Sequence, residues 1–205
     1  MRLFKRDKVQ AIGDTVTEIN AKTKVDKVLY QADILLTPAQ ADEIIEGIEQ
    51  QASNGTRSKR QAYKNILYPS TIWSKGVNYY FDKTASPKVQ SVFVKAAKLW
   101  EKDTCINFTK DSSAEDTIKV FAGDGCFSWV GRLGGEQNVS LGYGCETVGT
   151  AAHEIGHALG FFHTMSRYDR DEFITVNAEN IEVSTAQHST IWNSVTTIIF
   201  QPKDV

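Results

Sequence analysis

The chain has 205 residues, 41% of them hydrophobic and 23% charged, with a net charge of −2. That suits one globular domain with an appended segment, and it gives no reason to expect nucleic acid or an anionic membrane surface as a partner. No apolar run approaches the ~20 residues of a membrane span, and the basic start Met1 to Lys8 has no hydrophobic core behind it to make a recognisable signal peptide.

Residues 1–60 are polar and contain no cysteine, tryptophan or histidine. One organised piece stands out there. Thr37 predicts a helix cap, with Pro38 at the first position and Gln40 completing a capping box, and Ile44, Ile45 and Ile48 form a short apolar stripe. Just upstream, Leu29 to Leu36 is an apolar run broken by one carboxylate, Asp33, which is either an exposed turn residue or a functional group. Residues 51–60 read as a loop or linker ending in Arg57-Ser58-Lys59-Arg60. A solvated charge run is one reading of that tetrapeptide. Its place between a polar segment and a core-rich one favours the other, cleavage by a basic-specific processing protease after Arg60.

The core-rich part follows. Val77, Tyr79 and Phe81 alternate with polar neighbours as in a strand. Ser86 caps and Pro87 opens a helix on which Val89, Val92, Phe93, Ala96, Ala97 and Trp100 share a buried face. Residues 106–108 and 118–121 suggest two more strands. Val139-Ser140-Leu141 reads as a short strand near the sheet edge, able to pair with an extended substrate. A helix from about Val148 to Leu159 comes next. A mixed sheet followed by one such helix is an α+β arrangement.

That last helix carries the chemistry. Three of the four histidines fall within residues 153–163, in the string His153-Glu154-Ile155-Gly156-His157-Ala158-Leu159-Gly160-Phe161-Phe162-His163. His153 and His157 are one turn apart on one helical face and can grip one metal ion. Glu154 sits where a carboxylate can face a water at the metal without being a ligand. Gly160 can end the helix in a left-handed turn and bring His163 back to close the site. Three imidazoles with one open position describe a catalytic zinc, one per chain, because a structural site would have four protein ligands. An accidental motif in an ordinary globular domain is the bland alternative; it predicts no stoichiometric zinc.

Cys105, Cys126 and Cys145 are an odd set, leaving one pair with a spare thiol or a partner outside the chain. Three sequons, at Asn54, Asn107 and Asn138, lean with the cysteines towards a secretory route.

The stretch from His153, continuing through Arg167, Asp169, Arg170 and Asp171, resembles the astacin family of zinc metallopeptidases, which are metzincins. Upstream, Gly125 to Arg132 with Gly134 and Gly135, then Ser140 to Gly142, Gly144 and Cys145, is similar to the family's cysteine-bounded segment. Gln61-Ala62-Tyr63, with Tyr68, Pro69, Trp73 and the run from Val77 to Phe81, resembles the start of a mature catalytic domain.

The resemblance implies a zincin-like lobe with a mixed twisted sheet and an active-site helix. It implies a secreted zymogen, with residues 1–60 as propeptide and 61–205 as peptidase domain, hydrolysing peptide bonds in proteins. The implied roles are His153, His157 and His163 as zinc ligands and Glu154 as the group that moves the proton. Asp33, in Tyr30-Gln31-Ala32-Asp33, would be a further zinc ligand in the zymogen only, with alanine where the family has glycine. Cys126 and Cys145 match the family's inner disulfide, and Cys105 the first member of an outer one.

Two departures bear on competence. Thr164 stands where the family has glutamate, and the Met-turn with its tyrosine is not found after His163. A peptidase domain incomplete at its C-terminus, with the lower lobe largely missing, accounts for the latter and for the unpaired cysteine. Zinc binding with weak or absent turnover is then expected of this chain. A catalytically impaired zinc-binding protein is the competing expectation.

Overall fold

The computed structural model describes residues 11–13, 15–54, 69–166 and 170–175. The basic stretch 57–60, the start at 61–63, Tyr68, the motif positions 167–169 and everything beyond residue 175 lie outside them.

The helices form where capping and apolar spacing coincide. α1 (Val16–Thr23) opens on a reciprocal capping box between Thr15 and Glu18. No helix is expected there from apolar periodicity, although Thr-x-x-Glu is itself a start signal. α2 runs over Pro38–Asn54, so it takes in the first part of the expected linker; Gln50, Gln51 and Ala52 are good helix formers that carry no apolar period. Its capping box is present, with Thr37 N–H donating to Gln40 Oε1 at 2.9 Å and Gln40 N–H to Thr37 Oγ1 at 3.3 Å. α3 (Pro87–Asp103) starts from the Ser86 cap, and α4 (Val148–Ala158) from Thr147.

Among the described residues six strands make one sheet: β1 (Ile34–Leu35), β2 (Val77–Phe81), β3 (Phe108–Lys110), β4 (Thr117–Phe121), β5 (Cys126–Trp129) and β6 (Glu136–Leu141). Their order is β1-β5-β6-β4-β2-β3. Only the β5–β6 pair is antiparallel. The mixed α+β arrangement is therefore as expected.

One placement differs. Residues 139–141 belong to β6, which is hydrogen-bonded on both sides, to β4 and to β5, so it has no free edge for a substrate. The sheet ends at β1 on one side and β3 on the other, and β1 covers β5 in parallel register, Ile34 opposite Ser128 and Leu35 opposite Trp129. Four residues in a glycine-dense stretch give little period-2 signal, so β5 is not visible from sequence. The strand expected at 106–108 begins later, at Phe108.

α3 and α4 pack together over the sheet. Phe93, Ala96 and Ala97 share one buried cluster with Ala151, Ile155 and Ala158 and with Val77, Val120 and Val139 from the strands. Gly156 lets the Trp100 ring lie close enough that a Cβ there would sit 3.3 Å from it. The Trp100 indole N–H donates to the Ala152 carbonyl at 3.0 Å. Among the described residues no helix is long and apolar enough to cross a membrane.

Candidate metal centre

α4 ends as the glycine at 160 predicts. Gly160 is left-handed, with φ 105°. Its N–H bonds the His157 carbonyl at 2.8 Å, and the Phe161 N–H reaches back to Gly156 at 3.0 Å, the two bonds of a Schellman motif. Donors from outside the helix add to these. Gly131 N–H reaches the His157 oxygen at 3.0 Å, and the Trp73 indole reaches Ala158 at 2.9 Å. The helix end is thus held by two loops of its own domain, and the chain turns back so that His163 faces His153 and His157.

The three imidazoles converge through Nε2. His157 and His163 bring theirs to 3.1 and 3.3 Å from that of His153. Into the same space projects Asp33, buried on the N-terminal segment. One of its oxygens lies 2.9 Å from His153 Nε2 and 3.1 Å from His163 Nε2, and the other 3.7 Å from His157 Nε2. Asp33 is carried by a three-residue turn closed at both ends by bonds between Tyr30 and Ile34, at 2.9 and 3.0 Å. Gln31 and Ala32 within it are both left-handed, at φ 50° and 77°. The Asp33 carbonyl accepts from Ser128 N–H at 3.1 Å, so the residue that enters the centre also belongs to the β1–β5 ladder. Asp33 is buried and is no exposed turn residue.

Donor chemistry tests whether a metal fits. His157 Nδ1 donates to the Phe161 carbonyl at 2.7 Å and His163 Nδ1 to the Gln31 side-chain oxygen at 2.8 Å. A carbonyl oxygen can only accept, so Nδ1 carries a proton in both rings, and Nε2 either holds a metal through its lone pair or, with no metal bound, carries a proton that Asp33 accepts. In the first of these states, lone pairs facing each other and a carboxylate at about 3 Å repel unless a cation lies among them. Nitrogens at ~2.0–2.1 Å from a tetrahedral zinc are roughly 3.3 Å apart, which agrees with the spacing seen. All four donor groups lie within 4.8 Å of one another. The donor set fits zinc.

Glu154 is fully buried next to His153, and neither of its oxygens has a hydrogen-bond partner. A carboxylate left so costs free energy and calls for an explanation in function. Burial pushes its carboxyl well above the ordinary value, and the Asp33 charge adds to the rise. Burial pushes Asp33 up as well, but its contacts with the three imidazoles outweigh that and hold it well below the usual carboxylate range. Burial also lowers the His157 imidazole, against the pull of Asp33. Two neighbouring carboxyls pushed in opposite directions are the pattern of a site that assigns them different tasks.

Cys126 and Cys145 form a disulfide with Cα atoms 5.7 Å apart. It ties the first residue of β5 to the loop that enters α4. Cys105 is exposed and unpaired among the described residues. Thr164 is exposed on a short 3₁₀ turn, Thr164–Ser166.

Two polar residues that brace the centre or the turn carrying Asp33 have no local sequence signal of their role. Gln31 is one. Asn20 is the other; it is fully buried and donates to the Ala32 carbonyl at 2.8 Å.

Comparison with known proteins places this geometry. Residues 65–198 match the astacin peptidase family. Zinc metalloproteinase nas-31 of Caenorhabditis elegans is 49% identical over 180 residues, spanning 87% of this chain and 30% of that protein. Zinc metalloproteinase nas-36 of Brugia malayi is 33% identical over 202 residues, spanning 88% and 35%. Among solved structures, High choriolytic enzyme 1, a hatching enzyme zinc-protease from the medaka fish Oryzias latipes, aligns with a TM-score of 0.53 at 33% identity. It covers 65% of this chain and 68% of that one. The chain spans about a third of the length of the two curated relatives.

Proposed function

The chain belongs to the astacin family of peptidases, and from that premise we propose that it is a zinc-dependent metalloendopeptidase kept latent by its own N-terminal segment. The observation that carries this reading is the convergence of His153, His157 and His163 through Nε2 at about 3 Å, with Asp33 in the remaining direction. The three histidines hold one zinc ion, and Asp33 is a fourth ligand while its segment is docked.

Zinc in that position supplies a Lewis acid that polarises a peptide carbonyl and acidifies water. Glu154 takes the proton from the attacking water on its carboxylate and hands it to the leaving amine. Its burial and lack of partners keep it dry and free for that transfer. An extended substrate pairs with β5, the strand edge that β1 covers, so Asp33 and β1 block chemistry and binding together.

Residues 1–60 act as a propeptide and residues 61–205 as the peptidase domain, with cleavage after Arg60 by a processing protease releasing Asp33. The substrates are proteins or peptides. A secretory route is supported by the buried Cys126–Cys145 disulfide, since such bonds persist in oxidising compartments.

The test is hydrolysis of a fluorogenic peptide before and after trypsin-like cleavage, with Glu154→Ala as control and zinc measured by elemental analysis. Activity that appears on cleavage and is lost in Glu154→Ala supports the mechanism. Activity that survives in the variant sinks it. Zinc bound at one per chain without hydrolysis would leave an impaired zinc-binding protein instead.

A further inference from the structure

We propose that Gln31 is a positioning residue of the metal centre: it fixes His163 as an Nε2 donor, so the docked segment tightens metal binding through two residues, Asp33 directly and Gln31 through His163. The inference rests on the metal site proposed above.

The three histidines are not equally braced. His153 and His157 stand on α4, and His157 has its Nδ1 acceptor, Phe161, within its own helix end. His163 lies beyond that end, outside any helix or strand, and the acceptor for its Nδ1 comes from 132 residues away, from Gln31 at 2.8 Å. The orientation of the Gln31 amide is itself determined. Its nitrogen donates to the Tyr30 hydroxyl at 3.3 Å, which leaves the oxygen for the imidazole. Tyr30 meets Phe162 edge-on with ring centroids 6.4 Å apart, so the residues beside each partner also touch. The left-handed backbone at Gln31 and the Tyr30–Ile34 bonds that close its turn aim the side chain at His163.

An acceptor on the distal ring nitrogen sets tautomer and ring orientation and raises the basicity of the coordinating one; loss of such a partner typically costs 10–100-fold in metal affinity. One brace therefore belongs permanently to the helix end and the other leaves with the N-terminal segment. The unprocessed chain should load zinc more tightly than Asp33 alone would account for.

The experiment measures zinc affinity of the full 205-residue chain by competition with a chromophoric chelator, for wild type, Gln31→Met and Gln31→Glu. Gln31→Met keeps the length of the side chain and removes the acceptor; affinity should fall 10–100-fold. Gln31→Glu keeps the acceptor and should match or exceed wild type. The imidazole proton spectrum of the zinc-loaded protein gives a second readout that a general loss of packing would not mimic. The His163 Nδ1 proton should be protected from solvent exchange in wild type and Gln31→Glu, and exchange rapidly in Gln31→Met. Affinity in Gln31→Met within twofold of wild type, or an unchanged proton, overturns the assignment of Gln31 while leaving the three-histidine site intact. A wild-type chain that takes up no stoichiometric zinc overturns the site itself and this proposal with it.

Discussion

The Asn20 side chain pairs with the backbone of Cys126 as a neighbouring strand would. Its oxygen accepts from Cys126 N–H at 2.8 Å, and its nitrogen donates to the Cys126 carbonyl at 2.6 Å. The second hydrogen of that nitrogen goes to the Ala32 carbonyl, inside the turn that carries Asp33. One buried carboxamide thus joins α1, the start of β5 and the turn that carries Asp33. Gly125 makes room for it: at φ 120° it is left-handed, and a Cβ there would meet the Asn20 oxygen at 2.4 Å.

Asn20→Leu keeps the branched heavy-atom outline and leaves three backbone groups, two buried and one part-buried, without their partner. Each costs roughly 1–3 kcal/mol when water cannot replace the bond. Some relaxation will let water in, so a loss of about 3 kcal/mol is expected in urea unfolding of the unprocessed chain. A loss below about 1 kcal/mol would mean that the pin contributes little to docking.

Ala32 tests the turn from the other side. Its φ of 77° costs an L-residue about 1–2 kcal/mol, which glycine does not incur. Glycine at the same place adds unfolded-state freedom worth about 0.4–1 kcal/mol. Relief of strain outweighs that freedom, so Ala32→Gly should stabilise the unprocessed chain by about 0.5–1 kcal/mol and slow proteolysis within residues 1–60. A lower melting temperature in this variant would show that the turn is not strained.

What can be read from sequence is what spacing sets locally. The ends of α3 and α4, the Gly160 turn and the histidine triplet depend on residues a few positions apart, and each has a residue type that only one local geometry suits. Asn20 and Gln31 reach partners 106 and 132 residues away. In sequence they look like any polar residues of a soluble helix or turn. Gln40 shows both cases at once: its capping bond to Thr37 is legible, while its 2.9 Å bond to the Val130 carbonyl, which pins α2 to the domain, is not. Strand order is nonlocal in the same way. Nothing in Val139-Ser140-Leu141 says that two strands flank it.

The Cys126–Cys145 bridge closes a loop of 19 residues between β5 and α4. Cross-linking a loop of that size restricts the unfolded chain by about 3 kcal/mol. Cys145 is also tied to the helix start, accepting from Thr147 N–H at 2.8 Å. The double variant Cys126→Ala, Cys145→Ala should lose about 3 kcal/mol, a fall of roughly 6–12 °C in melting temperature for a chain this long. Reduction of the wild type under the same conditions should reproduce it. A change under about 2 °C by both routes would mean that the packing of β5 against α4 suffices without the bridge.

Glu154 and Asp33 should affect stability with opposite dependence on pH once zinc is removed by a chelator. Glu154 is raised well above 4.5 in the folded chain, so above that pH the unfolded chain gives up a proton that the folded one keeps. Stability then falls as pH climbs through the window between the two values. Glu154→Gln removes this cost, so its melting temperature should exceed wild type at pH 8 and match it at pH 4. Asp33 is held well below 3.8, so its contribution is fully present above that value and is lost as pH falls through the folded one. Asp33→Asn should therefore melt below wild type at pH 8, with the gap closing in acid. Glu154→Gln that shifts the melting temperature equally at pH 4 and pH 8 would assign its effect to packing. The contrast between the two variants matters most, because a loss of packing would lower both, whereas ionisation raises one and lowers the other.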